Sequence, residues 1–395
     1  MVGVDAGANS HPMATRLAIS RRALLVIGAA LAANTITQAI RGLLTVGAGR
    51  SIDFVAFAGA SRLLVQGSQC LYCSGPLHAV ESAYLGVPRP AFVAFLNPPI
   101  VALIMAPLAE LPRTLGLGGF LVLSLLAIGS GGWLLMTRLR CPAWASVLAV
   151  LSLPAAWAVA EGQWDPFLFL ALVAALVALD RRPVLAGCLL SVLAIKIQAV
   201  WLVPIVLVAL RRWRVLLGMG AGAAILAGTA LAILGTHWMD WPRALLPAGT
   251  AQEVGALGLV GIVASLGGSV AGFVSFAIAA AVATATTLGL RRRLRDDPEL
   301  AIAAAVLVSL LLAPHFFVTD FLLLAPALAL AGRRLPRGSA VAAAILSVAY
   351  FVGILPSTLL SLDAYIPALT VCAVVVLVVV VRRASRWSAA PAAAS

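Results

Sequence analysis

The chain has 395 residues, of which 63% are hydrophobic and 10% charged, with a mean hydropathy of +1.08. So apolar a sequence excludes a soluble globular domain and reads as a single polytopic membrane domain over 1–395. The formal charge of +13 does not point to nucleic acid, because the positive charge sits in short runs between apolar segments, where it reports topology.

Residues 1–22 are polar and place Arg16, Arg21 and Arg22 ahead of the apolar run from Ala23 to Ala33. A secretory or twin-arginine signal has this shape. Here Asn34 to Leu44 complete a span, so the segment reads as an anchored first helix with a cytoplasmic start. Further apolar segments fall at about 91–110, 116–137, 143–160, 164–180, 184–195, 199–210, 215–235, 268–290, 299–313, 320–332, 339–355 and 365–381. The arginines between them, at 138 and 140, 181 and 182, 211 to 214, 291 to 295, 333 to 337 and 382 to 386, are all expected to be cytoplasmic.

Putting every cluster on one side requires 91–110 not to cross, and 184–210 and 299–332 each to be a hairpin of two short helices. About 12 crossings result, with a first external loop at 44–115 carrying juxtamembrane helices and a cytoplasmic tail at 384–395. At ~1.5 Å per residue the short halves reach roughly 17–22 Å, less than a ~30 Å hydrocarbon core. They must sit in thinned membrane or line a cavity. In the alternative topology, 184–210 and 299–332 are single kinked spans and several arginine clusters face outward. GxxxG spacings at Gly218/Gly222 and Gly268/Gly272 predict close helix packing.

The preferred topology gathers Asp53, Glu81, Asp165, Lys196, His237, Asp240, His315 and Asp320 on the outer face. Asp53 opens an amphipathic stretch, Ser51 to Tyr72; read alone it is an interfacial carboxylate or a helix cap. Cys70 and Cys73 lie at redox-motif spacing, but no second Cys or His pair accompanies them, so an ordinary loop whose thiols oxidise to each other is the plainer reading. Asn97-Pro98-Pro99 starts a helix. Glu161-Gly162-Gln163 precedes Asp165, which has a dull explanation as a cap before Pro166. Lys196 is the chain's only lysine and interrupts an apolar run, which marks it as functional unless it snorkels from a helix end. His237 to Trp241 reads as an aromatic belt, or as a face for stacking on sugar. Ala313-Pro314-His315, with Thr319 and Asp320, forms a hairpin tip in which a lone His is ordinarily a structural hydrogen-bonder. There is no P-loop, no DxD pair and no His/Cys cluster, so neither a metal nor another cofactor is expected.

In order and spacing these motifs resemble glycosyltransferase family 87, C-type membrane enzymes that use lipid-phosphate sugars. The resemblance rests on Asp53-Phe54 with Phe57, Leu63-Leu64 and Leu71-Tyr72; on the Asn97-Pro98-Pro99 opening and the Gly162-Gln163 pair; and on Ala186-Gly187 with Lys196 and Pro204, then Pro314-His315 with Asp320. It departs where Asn97 replaces an aromatic and Ala313 a Ser, and where the stretch after Trp241 lacks an Asn-Gln-Ser run. The resemblance implies an all-α fold similar to that of the C-type glycosyltransferases. It implies Asp53 as the base, Lys196 and His315 as contacts of the donor phosphate, and Glu161, Gln163, Asp165, Asp320, His237 and Asp240 as secondary donor or acceptor contacts. The expected partners are a polyprenyl-phosphate sugar, mannose by preference, a lipid-linked or cell-envelope glycan acceptor and membrane lipids, met at the outer face of a bacterial cytoplasmic membrane. Competing readings are a membrane transporter or lipid-linked glycan flippase, and a catalytically silent subunit.

Overall fold

The computed structural model describes residues 21–50, 52–88, 92–237, 239–244, 259–313 and 317–334. The apolar segments expected at 339–355 and 365–381, the tail and His315 lie outside the described residues. Every regular element among those residues is helical. In chain order they are α1 (Arg21–Gly47), α2 (Asp53–Val65), α3 (Ser74–Leu85), α4 (Pro99–Ala109), α5 (Arg113–Thr137), α6 (Ala143–Val150), α7 (Leu153–Ala160), α8 (Asp165–Ala178) and α9 (Pro183–Ser191). A 3-10 stretch (Val192–Ala199) leads to α10 (Val203–Ala209), α11 (Trp213–Leu234), α12 (Leu259–Gly289), the single turn α13 (Arg291–Leu294) and α14 (Pro298–Leu311). A second 3-10 stretch (Val318–Leu324) leads to α15 (Ala325–Arg334).

Proline punctuates the chain. It stands in the first two positions of α4, α7, α8, α9, α10 and α14, where its missing N–H costs nothing and its fixed φ suits a helix start. Three stretches among the described residues, Arg113–Thr137, Trp213–His237 and Val270–Gly289, are long and apolar enough to cross a membrane. They expose large apolar side chains such as Leu115, Leu126, Leu217, Ile225, Phe273 and Val282, as helices bathed in lipid do. The described residues are those of an all-helical protein with helices fit to cross a membrane.

Neither 184–210 nor 299–332 is one continuous helix. The first divides into α9, a 3-10 stretch and α10; Lys196 itself has a non-helical backbone, with φ −118° and ψ 86°. The second divides into α14, a 3-10 stretch and α15. The segment 143–160, expected as one span, is two helices. Ser152 ends the first and caps the second by accepting the Ala155 N–H at 3.4 Å, and Pro154 helps restart the helix.

The two GxxxG spacings behave differently. A Cβ on Gly218 would collide with the Val184 carbonyl, and one on Gly222 with the Ser191 side chain, so α11 and α9 meet backbone to backbone as the spacing predicts. Among the described residues Gly268 meets no neighbour within 4 Å, and it takes φ +80° at a kink in α12, where glycine serves conformation.

The first loop carries three short helices. Expected to be amphipathic, α2 is instead enclosed, with Phe54 to Ser61 and Leu63 all buried. Gly59 lets Leu77 and Glu81 of α3 approach. On the α4 side, Arg62 donates to the Ala109 carbonyl at 2.8 Å and lies over the Tyr84 ring. Cys70 and Cys73 form a disulfide, and the Tyr72 hydroxyl between them donates to the Asn97 carbonyl at 2.8 Å.

Candidate active site

The turn 160–163, between α7 and α8, organises the site. Gly162 has φ +66°, and a Cβ there would stand 2.6 Å from the Cβ of Phe54, so only glycine admits the start of α2 this closely. The Phe54 N–H donates to the Glu161 carbonyl at 3.1 Å. This docking sets Gln163 beside Asp53, the first residue of α2, and the Gln163 amide donates to the Asp53 carboxylate. Asp53 makes no cap bond, since the N-cap position belongs to Ile52. Burial pushes the Asp53 carboxyl above the ordinary range, while the Gln163 hydrogen bond and the positive charge of Lys196 pull it partly back. Burial also raises Glu161, the negative charge of Asp53 adds to the rise, and Arg41 opposes it.

Two residues beyond Gln163 lies the second half of the site. The Lys196 ammonium donates to Asp165 at 2.7 Å and to Asp320 at 2.6 Å. Both carboxylates are fully buried and the lysine is nearly so. The other oxygen of Asp320 accepts the Phe317 N–H at 2.9 Å, which ties the 3-10 stretch to the lysine. Asp165 Oδ1, Trp164 Nε1 and Thr319 Oγ1 are buried without a hydrogen-bond partner among the described residues, so polar capacity is left over around the triad.

The structure thus brings Asp53 of α2 against the turn that bears Glu161 and Gln163, and Lys196, Asp165 and Asp320 together in one ion-paired triad. The sequence neighbours Gln163 and Asp165 join the two groups, as does the field of Lys196 on Asp53. The dull reading of Asp165 as a cap is set aside, because it makes no cap bond and pairs with the lysine. The resemblance implies Lys196 as a contact of the donor phosphate; in the structure its ammonium also holds Asp165 and Asp320. With both aspartates ionised the triad carries one net negative charge, and two of the three ammonium N–H groups are taken up by the aspartates. Asp320 bonds within its own hairpin, to the Phe317 N–H; His315 lies outside the described residues.

His237 and Asp240 stand apart. They pair with each other at 3.2 Å at the exposed end of α11, and Trp241 fixes that end to the first loop by donating to the Leu96 carbonyl at 3.2 Å. The pairing of Lys196 with two aspartates escaped the sequence reading. The signal was present, since a lone lysine in an apolar run needs counter-charges and Asp165 and Asp320 each begin a neighbouring apolar run. No group of three or more His, Cys, Asp or Glu among the described residues is arranged to hold a metal.

The family model for glycosyltransferase family 87 matches residues 95–314, more than half of the chain. No curated protein and no solved structure matches. The matched region contains Glu161, Gln163, Asp165 and Lys196, whereas Asp53 precedes it and Asp320 follows it.

Proposed function

This chain belongs to glycosyltransferase family 87, and from that premise we propose that it moves one sugar, mannose by preference, from a polyprenyl-phosphate carrier to a lipid-linked or cell-envelope glycan. The reaction takes place at the outer face of a bacterial cytoplasmic membrane, on a C-type fold of about 12 crossings, with both chain ends inside.

One observation carries the reading. Asp53 is a half-buried carboxylate with a raised pKa, oriented by Gln163 and set within the field of a buried lysine. Such a group suits a general base. In the proposed reaction the acceptor hydroxyl oxygen attacks the anomeric carbon as Asp53 takes its proton. The bond from that carbon to the phosphate oxygen breaks, its electron pair leaves with the polyprenyl phosphate, and the anomeric configuration inverts. Lys196 holds Asp165 and Asp320 in place, so that the helix starts of α8 and the Val318–Leu324 stretch form a fixed floor. His315, on the same hairpin as Asp320, completes the proposal as a phosphate contact. His237 and Asp240 are assigned to the acceptor side, where the exposed end of α11 meets the first loop.

The buried triad is also what a transporter with a coupling group would contain. The test is to give membranes containing the protein radiolabelled polyprenyl-phosphate mannose. Label appearing in a glycan supports transfer. No transfer from this or a polyprenyl-phosphate arabinofuranose donor, together with movement of the labelled lipid between leaflets, would favour transport.

A further inference from the structure

The lead-in to α4, Phe95 to Asn97, is where three parts of the molecule meet. The Phe95 ring meets Phe57 edge-on at 6.5 Å, and Phe57 stands one helical turn after Asp53 in α2. The Leu96 carbonyl accepts the Trp241 indole N–H at 3.2 Å, which fixes the end that bears His237 and Asp240. Tyr72 supplies the third part: its ring lies 5.4 Å from that of Phe95, and its hydroxyl donates to the Asn97 carbonyl at 2.8 Å. Burial pushes the Tyr72 phenol above its ordinary range and the negative charge of Asp240 adds to the rise, so the hydroxyl stays a donor.

Tyr72 is itself gripped by its neighbours in sequence. Cys70 and Cys73 close a disulfide around it, and the Cys73 N–H donates to the Cys70 carbonyl at 3.4 Å. A cross-link between residues three apart restricts the unfolded chain little, because the entropy it removes grows with the loop it closes. That leaves its main effect in the folded state, where it fixes the direction of Tyr72. Both cysteines are half-buried, among exposed residues at 65–67, 69 and 74–76, so a thiol of a second protein reaches the bond. Cys73 stands at the N-cap of α3, a position that favours a thiolate and hence exchange.

We propose that Cys70 and Cys73 are a modification site for a thiol–disulfide oxidoreductase, and that the bond clamps Tyr72 on the 95–97 lead-in so that α2 and the α11 end keep their places. Closing it passes two electrons and two protons from the two thiols to the disulfide of the oxidoreductase, which becomes a dithiol; opening runs the same exchange backwards through a mixed disulfide. Tyr72 is a positioning residue, acting on Asp53 through Phe95 and Phe57. The inference rests on the outer-face transferase reading above.

To test it, full-length protein in nanodiscs is compared oxidised, after dithiothreitol and after reoxidation, with maleimide capping and mass spectrometry to count open bonds. Amide hydrogen exchange across 93–105 and transfer from decaprenyl-phosphate mannose are read on the same samples. Reduction is expected to speed exchange about fivefold, the loss of one hydrogen bond, and to slow transfer by a similar factor, both reversed on reoxidation. Tyr72→Ala should show both changes with the disulfide closed, and reducing it should add nothing, whereas independent effects would add. Tyr72→Phe, which keeps the ring, should keep part of the protection. If reduction leaves wild-type exchange unaltered, or adds in full to Tyr72→Ala, the clamp is overturned. If exchange responds as expected but no state transfers sugar, the transferase reading fails and the clamp stands. If cells lacking their extracytoplasmic thiol–disulfide oxidoreductases still close the bond, the partner is overturned.

Discussion

At the scale of single residues, the account turns on how charge is shared between Lys196 and three aspartates. Removing the ammonium by Lys196→Met would leave Asp165 and Asp320 buried without a counter-charge, a loss of about 3–5 kcal/mol by the usual cost of breaking a buried pair. We expect a large drop in thermal midpoint and in the yield of folded protein. The protein that survives should also respond differently to pH. A base acts deprotonated, so activity falls as pH drops through the raised pKa of Asp53. Lys196 opposes that rise, so its loss should move the acid limb of the pH–rate profile to higher pH. A lysine that only gripped phosphate would instead change the KM for donor and leave the limb in place.

Legibility at this scale was uneven. Lys196 stood out because ionisable groups in apolar runs are expensive, and Asp53 and Gln163 stood out through family resemblance. What could not be read was the pairing, because residues 165, 196 and 320 are joined only when α8, the Val192–Ala199 stretch and the second hairpin pack together.

At the scale of elements, the first loop is a packed unit and not a tether. Phe54 meets Phe120 of α5 in a tilted pair with ring centroids 5.5 Å apart, and Phe57 meets Trp164 edge-on at 6.5 Å, so α2 is wedged against α5 and the start of α8. Glu81 of α3 is buried in this unit, with one oxygen lacking a hydrogen-bond partner among the described residues and the other accepting the Val93 N–H at 3.5 Å. Burial pushes its pKa up to about 7 from 4.5. The folded loop therefore holds the proton more tightly than the unfolded chain. Stability from this group is full below the unfolded value and is lost as pH rises through the folded one, by up to about 3 kcal/mol. Glu81→Gln should raise the thermal midpoint relative to wild type at about pH 8 and leave it unchanged near pH 4. An equal effect at both pH values would contradict the burial argument. The sequence showed that helices lie in this loop, since Asn97-Pro98-Pro99 announces one. It did not show that α2 is buried all round from Phe54 to Ser61, because the pattern of Phe54, Phe57, Leu63 and Leu64 fits one buried stripe equally well.

At the scale of the molecule, the arginine runs that suggested the topology are joined by contacts at one end. Arg212 pairs with Asp180 at 2.7 Å, Arg295 donates to the Ala209 carbonyl at 3.2 Å, and Arg333 reaches Glu299 and the Leu139 carbonyl at 3.0 Å each. These contacts tie the turns near 139, 180, 209–212, 295–299 and 333 together, as a shared side of the membrane requires. Single cysteines placed at Arg181 and at His237 should therefore differ, the first shielded from an impermeant thiol reagent in intact cells and the second labelled. Labelling of both would break the topology. Hydropathy found the long helices readily, but it joined 143–160 into one span, because apolar content does not register the break that Ser152 and Pro154 impose. The central claim is that Asp53 removes the acceptor proton while the donor is held by other groups. Its most direct measurement is single-turnover transfer from decaprenyl-phosphate mannose by full-length protein in nanodiscs, with donor binding recorded on the same samples, for wild type and Asp53→Asn. The account predicts that Asp53→Asn binds donor within about threefold of wild type yet transfers about 10²–10⁴-fold more slowly, whereas transfer at the wild-type rate would contradict it.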